Sequence, residues 1–236
     1  MVLAGTIPSE VDYHEFYGGL EPGEVLLYSI AAAAKNLRLP PRTVHWWAKG
    51  GPREGYKPII SSSPAVLLSF NDLIELFVVK ALTRARSVPL QAVRSAVDYA
   101  AREMSVERVG LSEDLVTFGS KLLLKRLGET VSISRSGQLA LEQVVDAYMQ
   151  RIDRSEAGLP VKLHPGFATE SRVGTSYLIS VSPLIAFGAP TITGTGIKTS
   201  VVATRVDAGE SVAELAEDYG IDPGLVLNAL VFENAA

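Results

Sequence analysis

The chain reads as mainly α with small β elements: an N-terminal winged helix-turn-helix-like domain, then a small C-terminal helical domain with a short β strand or ribbon. Three observations predict this. Apolar residues recur at helical spacing in one stretch after another, and most of these stretches open on a capping residue or a proline. β-leaning residues are confined to short pieces. From Ser29 to Ile60 the bases are Lys35, Arg38, Arg42, Lys49, Arg53 and Lys57 against the single acid Glu54, although the whole chain carries −4.

Residues 1–24, rich in Gly, Pro and acids, read as an arm without helical period. Ser29 is placed to cap a helix with Ile30, Ala33, Ala34 and Leu37 on one face. Leu39-Pro40-Pro41 stops it, because proline cannot continue a helix and restricts the residue before it. Pro41 opens a second helix through Ala48, ended by Lys49-Gly50-Gly51-Pro52. Ser69-Phe70-Asn71-Asp72 is a capping-box pattern ahead of Leu73, Ile74, Phe77, Val78, Ala81 and Leu82. Ser87-Val88-Pro89 opens a helix with Leu90, Val93, Val97, Ala101 and Met104 on one face.

The segment from Leu115 to Ser134 reads as a small β meander. Gly137 precedes an amphipathic helix of Leu139, Leu141, Val144, Val145, Tyr148, Met149 and Ile152, with Arg151 and Arg154 at its end. Residues 156–175 show little period and read as a linker between domains at 25–155 and 176–236. In the second domain Tyr177–Val181 reads as a strand and Pro190–Gly196 as a tight turn region. Helices are expected around Val201–Asp207, Ser211–Tyr219 and Pro223–Phe232, the second opened by the capping box Ser211-Val212-Ala213-Glu214.

Composition excludes several classes. The 236 residues suffice for two domains with real cores, and the absence of cysteine removes disulfides and thiolate metal sites. No signal-peptide pattern opens the chain, and no apolar run approaches the roughly 20 residues of a membrane span. A soluble cytoplasmic protein with no membrane contact is expected. His14, His45 and His164 have no metal spacing, and Gly194-Thr195-Gly196 lacks the lysine and helix of a phosphate loop. Ser134-Arg135-Ser136-Gly137 lacks the strand–elbow–helix setting of a hydrolase nucleophile. The chain is therefore read as a non-enzyme without cofactor, catalytic residues or metal.

Ser29–Lys49 has helix-turn-helix organisation: a small-residue helix, a short break, and a helix with polar reach. Alanines at 31–34 permit close helix approach. In the second helix Arg42 and Thr43 occupy the first turn, where side chains meet base edges, and arginine pairs bidentately with guanine. His45, Trp46 and Lys49 extend that DNA-binding set, and Arg53 and Lys57 supply a basic wing for phosphates. The plainer reading is a helical hairpin on a core with both tryptophans buried; Trp47 is the better core candidate.

Ser29–Trp47, Leu68-Ser69-Phe70-Asn71-Asp72-Leu73 and Val88-Pro89-Leu90-Gln91-Ala92-Val93 together resemble the winged-helix order of MerR-type regulators, with a shortened or altered wing. The C-terminal text resembles a small domain found in VapB-like antitoxins encoded beside PIN-like toxins. Ile179-Ser180-Val181-Ser182-Pro183, Phe187-Gly188-Ala189-Pro190, Ile192-Thr193-Gly194-Thr195, Gly209–Tyr219 and Ile221–Val226 carry it. Gly196 stands where that family usually has arginine, so a role tied to that arginine does not transfer.

The resemblances imply a type II antitoxin that binds and silences a PIN-like, VapC-type ribonuclease and represses its own operon as a homodimer on operator DNA. Basic Lys198 or Arg205 would then reach the toxin's acidic metal site. Val226, Leu230, Val231 and Phe232 either line the partner interface or belong to the core, and Val231 and Phe232 are the partner-binding candidates. The acidity of Val212–Leu230 argues against DNA contact there. The alternative is a stand-alone DNA-binding regulator whose C-terminal domain dimerises or senses a ligand.

Overall fold

The computed structural model describes residues 13–52, 56–60, 62, 65–83, 89–103, 105, 108, 111, 135–165, 168–171 and 174–234. In chain order come α1 (Tyr13–Phe16), β1 (Leu26–Tyr28), α2 (Ile30–Leu37), α3 (Pro41–Lys49), β2 (Leu68–Ser69), α4 (Phe70–Thr83), α5 (Leu90–Glu103) and α6 (Arg135–Met149). Then follow β3 (Ile152–Arg154), β4 (Pro160–Leu163), β5 (Ala168–Ser171), β6 (Gly174–Tyr177), β7 (Ile179–Ser180) and β8 (Thr191–Ile192). Three helices close the described chain: α7 (Thr199–Asp207), α8 (Val212–Tyr219) and α9 (Pro223–Asn234). Helix predominates, and the sheets are small two-stranded pieces, β1–β2, β3–β4, β5–β6 and β7–β8. The chain divides into two compact units, Tyr28–Val161 and Met1–Leu27 with Lys162–Ala236.

The unit Tyr28–Val161 is built around α4, against which α2, α3, α5 and α6 all pack. From Asp72 to Leu82 every α4 residue is buried, so the helix is a hub rather than a one-faced surface helix. Its charges are met locally. Arg108 Nη2 lies 2.6 Å from Asp72 Oδ1 and 3.0 Å from Glu75 Oε2. Lys80 Nζ donates to the Leu37 carbonyl at 2.7 Å, taking up one of the acceptors that the end of α2 leaves over. The capping box forms as the sequence predicts, with Asp72 Oδ2 accepting from Ser69 N–H (2.9 Å) and Asp72 N–H donating to Ser69 Oγ (3.1 Å).

Two sequence expectations in this unit are corrected. The helix α6 begins at Arg135, ahead of Gly137, and stops at Met149, so Ile152 and Arg154 lie in strand β3. From β3 the Arg154 guanidinium donates to the carbonyls of Leu111 (2.6 Å) and Gly158 (2.8 Å). The expected meander at 115–134 lies outside the described residues.

The other unit also departs from its reading. The stretch read as a linker carries β4, β5 and β6, and β5 pairs antiparallel with β6 from Ala168↔Tyr177 to Ser171↔Gly174. Polar strands such as Ala168-Thr169-Glu170-Ser171 offer no apolar alternation for a sequence reading to detect. The single strand expected over Tyr177–Val181 is divided between β6 and β7, and β7 pairs with β8 through Ile179↔Ile192 and Ser180↔Thr191. The arm holds a short helix, α1, and Tyr17 Oη at its end donates to the Pro183 carbonyl at 2.5 Å.

The core of this unit is Ile179, Ile192, Val202, Leu215, Ala216, Val226, Ala229 and Phe232, and α9 packs on α7, α8 and both strands. The capping box at Ser211 and Glu214 is formed, and Gly220, at φ 64°, closes α8 in the left-handed conformation that glycine adopts without strain. Ala186 and Phe187 take the same region without being glycine, at φ 52° and 56°, which costs about 1–2 kcal/mol each.

Candidate nucleic-acid interface

The helix pair that carries the basic window is set by small residues on one side and two returns of chain on the other. Ala33, Ala34 and Leu37 of α2 are buried, and the α2–α3 packing brings Val44, Trp47 and Ala48 of α3 inward. Between the helices Arg38 turns left-handed (φ 49°), and Leu39 N–H donates to the Ala34 carbonyl at 2.9 Å, closing α2. Pro41 then starts α3 at a position where its missing N–H is no loss.

With that face buried, the sequence-derived candidates fall as follows. Arg42 and His45 are exposed, Thr43, Trp46 and Lys49 half-buried, and Lys57 exposed on the segment after α3. Trp47, not Trp46, is the core tryptophan, at 6% exposure. Arg53 lies outside the described residues. Lys49 Nζ donates to Ser62 Oγ (3.3 Å), which itself donates to the Ala48 carbonyl (2.6 Å), so this lysine is steadied beside the end of α3.

The chain beyond α3 folds back onto it. Ile59 N–H donates to the Trp47 carbonyl at 2.7 Å, Gly51 N–H to the Tyr56 carbonyl at 2.9 Å, and Ile59 and Ile60 are buried. Glycine is required here for space: a Cβ on Gly50 would stand 2.7 Å from the Tyr56 carbonyl oxygen, and one on Gly51 2.8 Å from the Tyr56 ring. Tyr56 is thereby held edge-on to Trp46, with ring centroids 5.9 Å apart.

Cations stack on both rings. The Arg42 guanidinium lies 4.4 Å from the Trp46 ring centre, and that of Arg94, from α5, 5.1 Å from the Tyr56 ring centre. Arg94 also donates to the Lys57 carbonyl at 2.7 Å and to Gln91 Oε1 at 3.0 Å, tying the segment after α3 to α5. Arg42, Trp46, Pro52 and Tyr56 line an open cavity of about 240 Å³. The sequence reading missed Arg94. Its signal was present: Leu90, Val93, Arg94 and Val97 share one helical face, and a cation on an apolar face needs an acceptor.

Charge separates along the same division as the fold. Residues 28–161 hold 18 bases and 13 acids, a formal +5, while 1–27 with 162–236 hold 4 bases and 13 acids, a formal −9; together they give −4. The basic window supplies the whole of that +5, since residues 61–161 hold 12 bases and 12 acids.

In the acidic unit Lys198 precedes α7 and is half-buried. Arg205 is engaged, at 2.5 Å from Glu210 Oε2 and 2.6 Å from Asp218 Oδ2, and lies 5.0 Å from the Tyr219 ring centre. Those bonds raise the affinity of Arg205 for its proton and hold the Glu210 carboxyl below the usual range. The Glu214 carboxyl is lowered as well, by hydrogen bonds from the Ser211 hydroxyl and N–H. Val231 is exposed, at 61%, whereas Phe232 lies in the core at 3% and presents no side-chain surface.

Among the described residues no group of three or more His, Asp or Glu is placed to hold a metal, and no helix is long and apolar enough to cross a membrane.

Comparison with known proteins bears on both units. Residues 179–232 match the family model described as a protein of unknown function, DUF433. A relative from Mycobacterium tuberculosis (strain ATCC 25618 / H37Rv), named "Putative antitoxin VapB45", is 27% identical over 232 residues, covering 88% of this chain and 93% of the relative. The crystal structure of Rv2018 from Mycobacterium tuberculosis superposes with a TM-score of 0.67 at 24% identity, over 88% of this chain and 98% of that one, so the fold is shared along most of both chains.

Proposed function

We propose that the chain is a type II antitoxin whose basic unit binds operator DNA and whose acidic unit binds and silences a PIN-like ribonuclease. The observation that carries this reading is the charge segregation, +5 on residues 28–161 and −9 on the remainder, in a chain similar to a relative named as an antitoxin. Phosphate neutralisation by Lys and Arg supplies most non-specific DNA affinity, and an acidic body repels it. One unit suits a polyanion; the other suits a cationic protein.

In this reading α2 and α3 form a helix-turn-helix with α3 in the major groove. Arg42 and His45 face bases or phosphates, Thr43 supports them, and Lys49 and Lys57 contact the backbone. Trp46 and Tyr56 hold Arg42 and the segment after α3 in place, as a wing would. One short recognition helix reads too few bases for useful specificity, so a homodimer on a two-fold operator is expected, with autorepression as the consequence.

Co-expression with the neighbouring reading frame tests the reading. A toxic neighbour that this chain rescues and co-purifies with supports it, together with salt-dependent binding of the chain to the DNA upstream. A harmless neighbour that never associates refutes the antitoxin role. If upstream DNA is still bound, the chain is a stand-alone regulator.

A further inference from the structure

The acidic unit carries an aromatic surface that its own fold does not explain. Phe16 and Phe187 are 57% and 63% exposed, yet their rings stand 5.7 Å apart. Tyr17 packs edge-on against Phe16 at 5.1 Å and is fastened to the Pro183 carbonyl, so the pair is held in place. Phe187 is presented by left-handed backbone (φ 56°, ψ 42°) directly after a left-handed Ala186, a conformation that glycine would adopt more easily. A phenylalanine kept exposed on backbone that disfavours it, beside a second exposed ring, is better explained by contact with a partner than by packing.

The surroundings state what chemistry that partner has. Glu15 adjoins Phe16, and Glu21 and Glu24 follow, all exposed, with His14 alongside. No Lys or Arg precedes Lys35 in the sequence. Exposed rings on a unit of formal charge −9 combine the two features, flat apolar faces and negative charge, that single-strand binders meet with stacking side chains and cations.

Building on the proposed function, we propose that Phe16 and Phe187, with the exposed acids of the same arm, form the docking surface for the RNA-binding face of the ribonuclease. The rings take the place of bases and the carboxylates that of phosphates. Inhibition then follows from exclusion of RNA.

The test uses the full chain and the protein encoded by the neighbouring reading frame, with affinity measured calorimetrically for wild type, Phe187→Gly and Phe16→Ser. Glycine relieves the left-handed backbone, so Phe187→Gly keeps the fold and any loss of binding belongs to the ring. The expected result is at least a roughly 30-fold weaker complex, the scale of a hot-spot residue. Wild-type binding should weaken as salt rises, and a single-stranded RNA oligonucleotide should compete with it.

Unchanged affinity in both variants, or a ternary complex with the RNA, overturns the proposal while leaving the antitoxin reading intact. So does loss of self-association in sedimentation with ribonuclease binding unchanged, which would make the patch an interface between copies of this chain. A wild-type chain that does not bind the neighbouring protein at all removes the proposed function itself, and this surface assignment with it.

Discussion

Arg108→Met removes the guanidinium that pairs with the buried Asp72 and Glu75, and keeps most of the apolar stem. The side chains of Asp72 and Glu75 are only 2% and 7% exposed, and that of Arg108 16%, so water cannot take over from the guanidinium. At an effective dielectric of about 20, unit charges some 3.5 Å apart attract by about 5 kcal/mol. Breaking a buried pair by removing one partner costs about 3–5 kcal/mol in practice. Glu75 adds to the loss, whereas the Ser69 N–H that Asp72 retains limits it. A cost of about 3–5 kcal/mol is therefore expected, a large share of the roughly 5–15 kcal/mol that stabilises a domain.

Urea unfolding followed by tryptophan fluorescence measures this change in the right unit, because the only tryptophans, Trp46 and Trp47, both lie in Tyr28–Val161. The triple variant Arg108→Met, Asp72→Asn, Glu75→Gln should recover much of the loss, since all three charges are then removed together. A cost below about 1 kcal/mol for Arg108→Met, or a triple variant weaker than the single one, would refute the reasoning.

Three further outcomes are expected. Arg42→Ala should weaken binding to the preferred operator by about 1–3 kcal/mol with relaxed specificity, while Lys57→Ala should weaken all sequences alike and lower the salt slope by about 1; gel-shift titrations at several salt concentrations separate the two. Ser211→Ala should lower the stability of the acidic unit by about 1 kcal/mol, read by hydrogen exchange of the α8 amides, because it removes the acceptor of the Glu214 N–H. The carboxyls of Glu210 and Glu214 are held below their ordinary values, so their contribution is complete above the unfolded pKa of about 4.3 and is lost as pH falls through the folded values. Circular-dichroism melts should therefore show stability declining on acidification below that point, and less steeply in Glu210→Gln.

Legibility followed the physics of each signal. Helices with caps or an opening proline were readable nearly to the residue: α2 behind Ser29, α3 from Pro41, α8 behind Ser211. These signals are local, and the structure obeys them because capping satisfies orphan N–H groups wherever the helix sits. Tertiary facts were not legible. In α4 the apolar face was identified, but Glu75 and Lys80 would be placed outward by pattern alone; both are buried because a residue 33 positions away and a carbonyl 43 positions away meet them. Arg42, His45 and Trp46 were named from the helix-turn-helix text, whereas Arg94 belongs to their neighbourhood only through a carbonyl at Lys57 and a ring at Tyr56. Phe187 is legible only as part of a family pattern, since exposure on left-handed backbone leaves no period in the sequence.

If the proposed function holds, the acidic unit has two ways to meet a ribonuclease. Insertion of Arg205 into the acidic metal site of the toxin would exchange the Glu210 and Asp218 carboxylates for the toxin's own. The guanidinium gains little from swapping one pair of carboxylates for another, and the two acids it leaves would stand near each other without their counter-charge, beside a second acidic surface. Lys198 is the other cation that the described residues of α7, α8, α9 and their caps provide, so an inhibitory contact built from cations has few groups to draw on. A contact built from Phe16, Phe187 and the carboxylates at 15, 21 and 24 uses groups that are exposed, and its charge is complementary to cationic groups that hold an RNA backbone. The −9 of this unit then favours association, whereas arginine insertion would have to work against it.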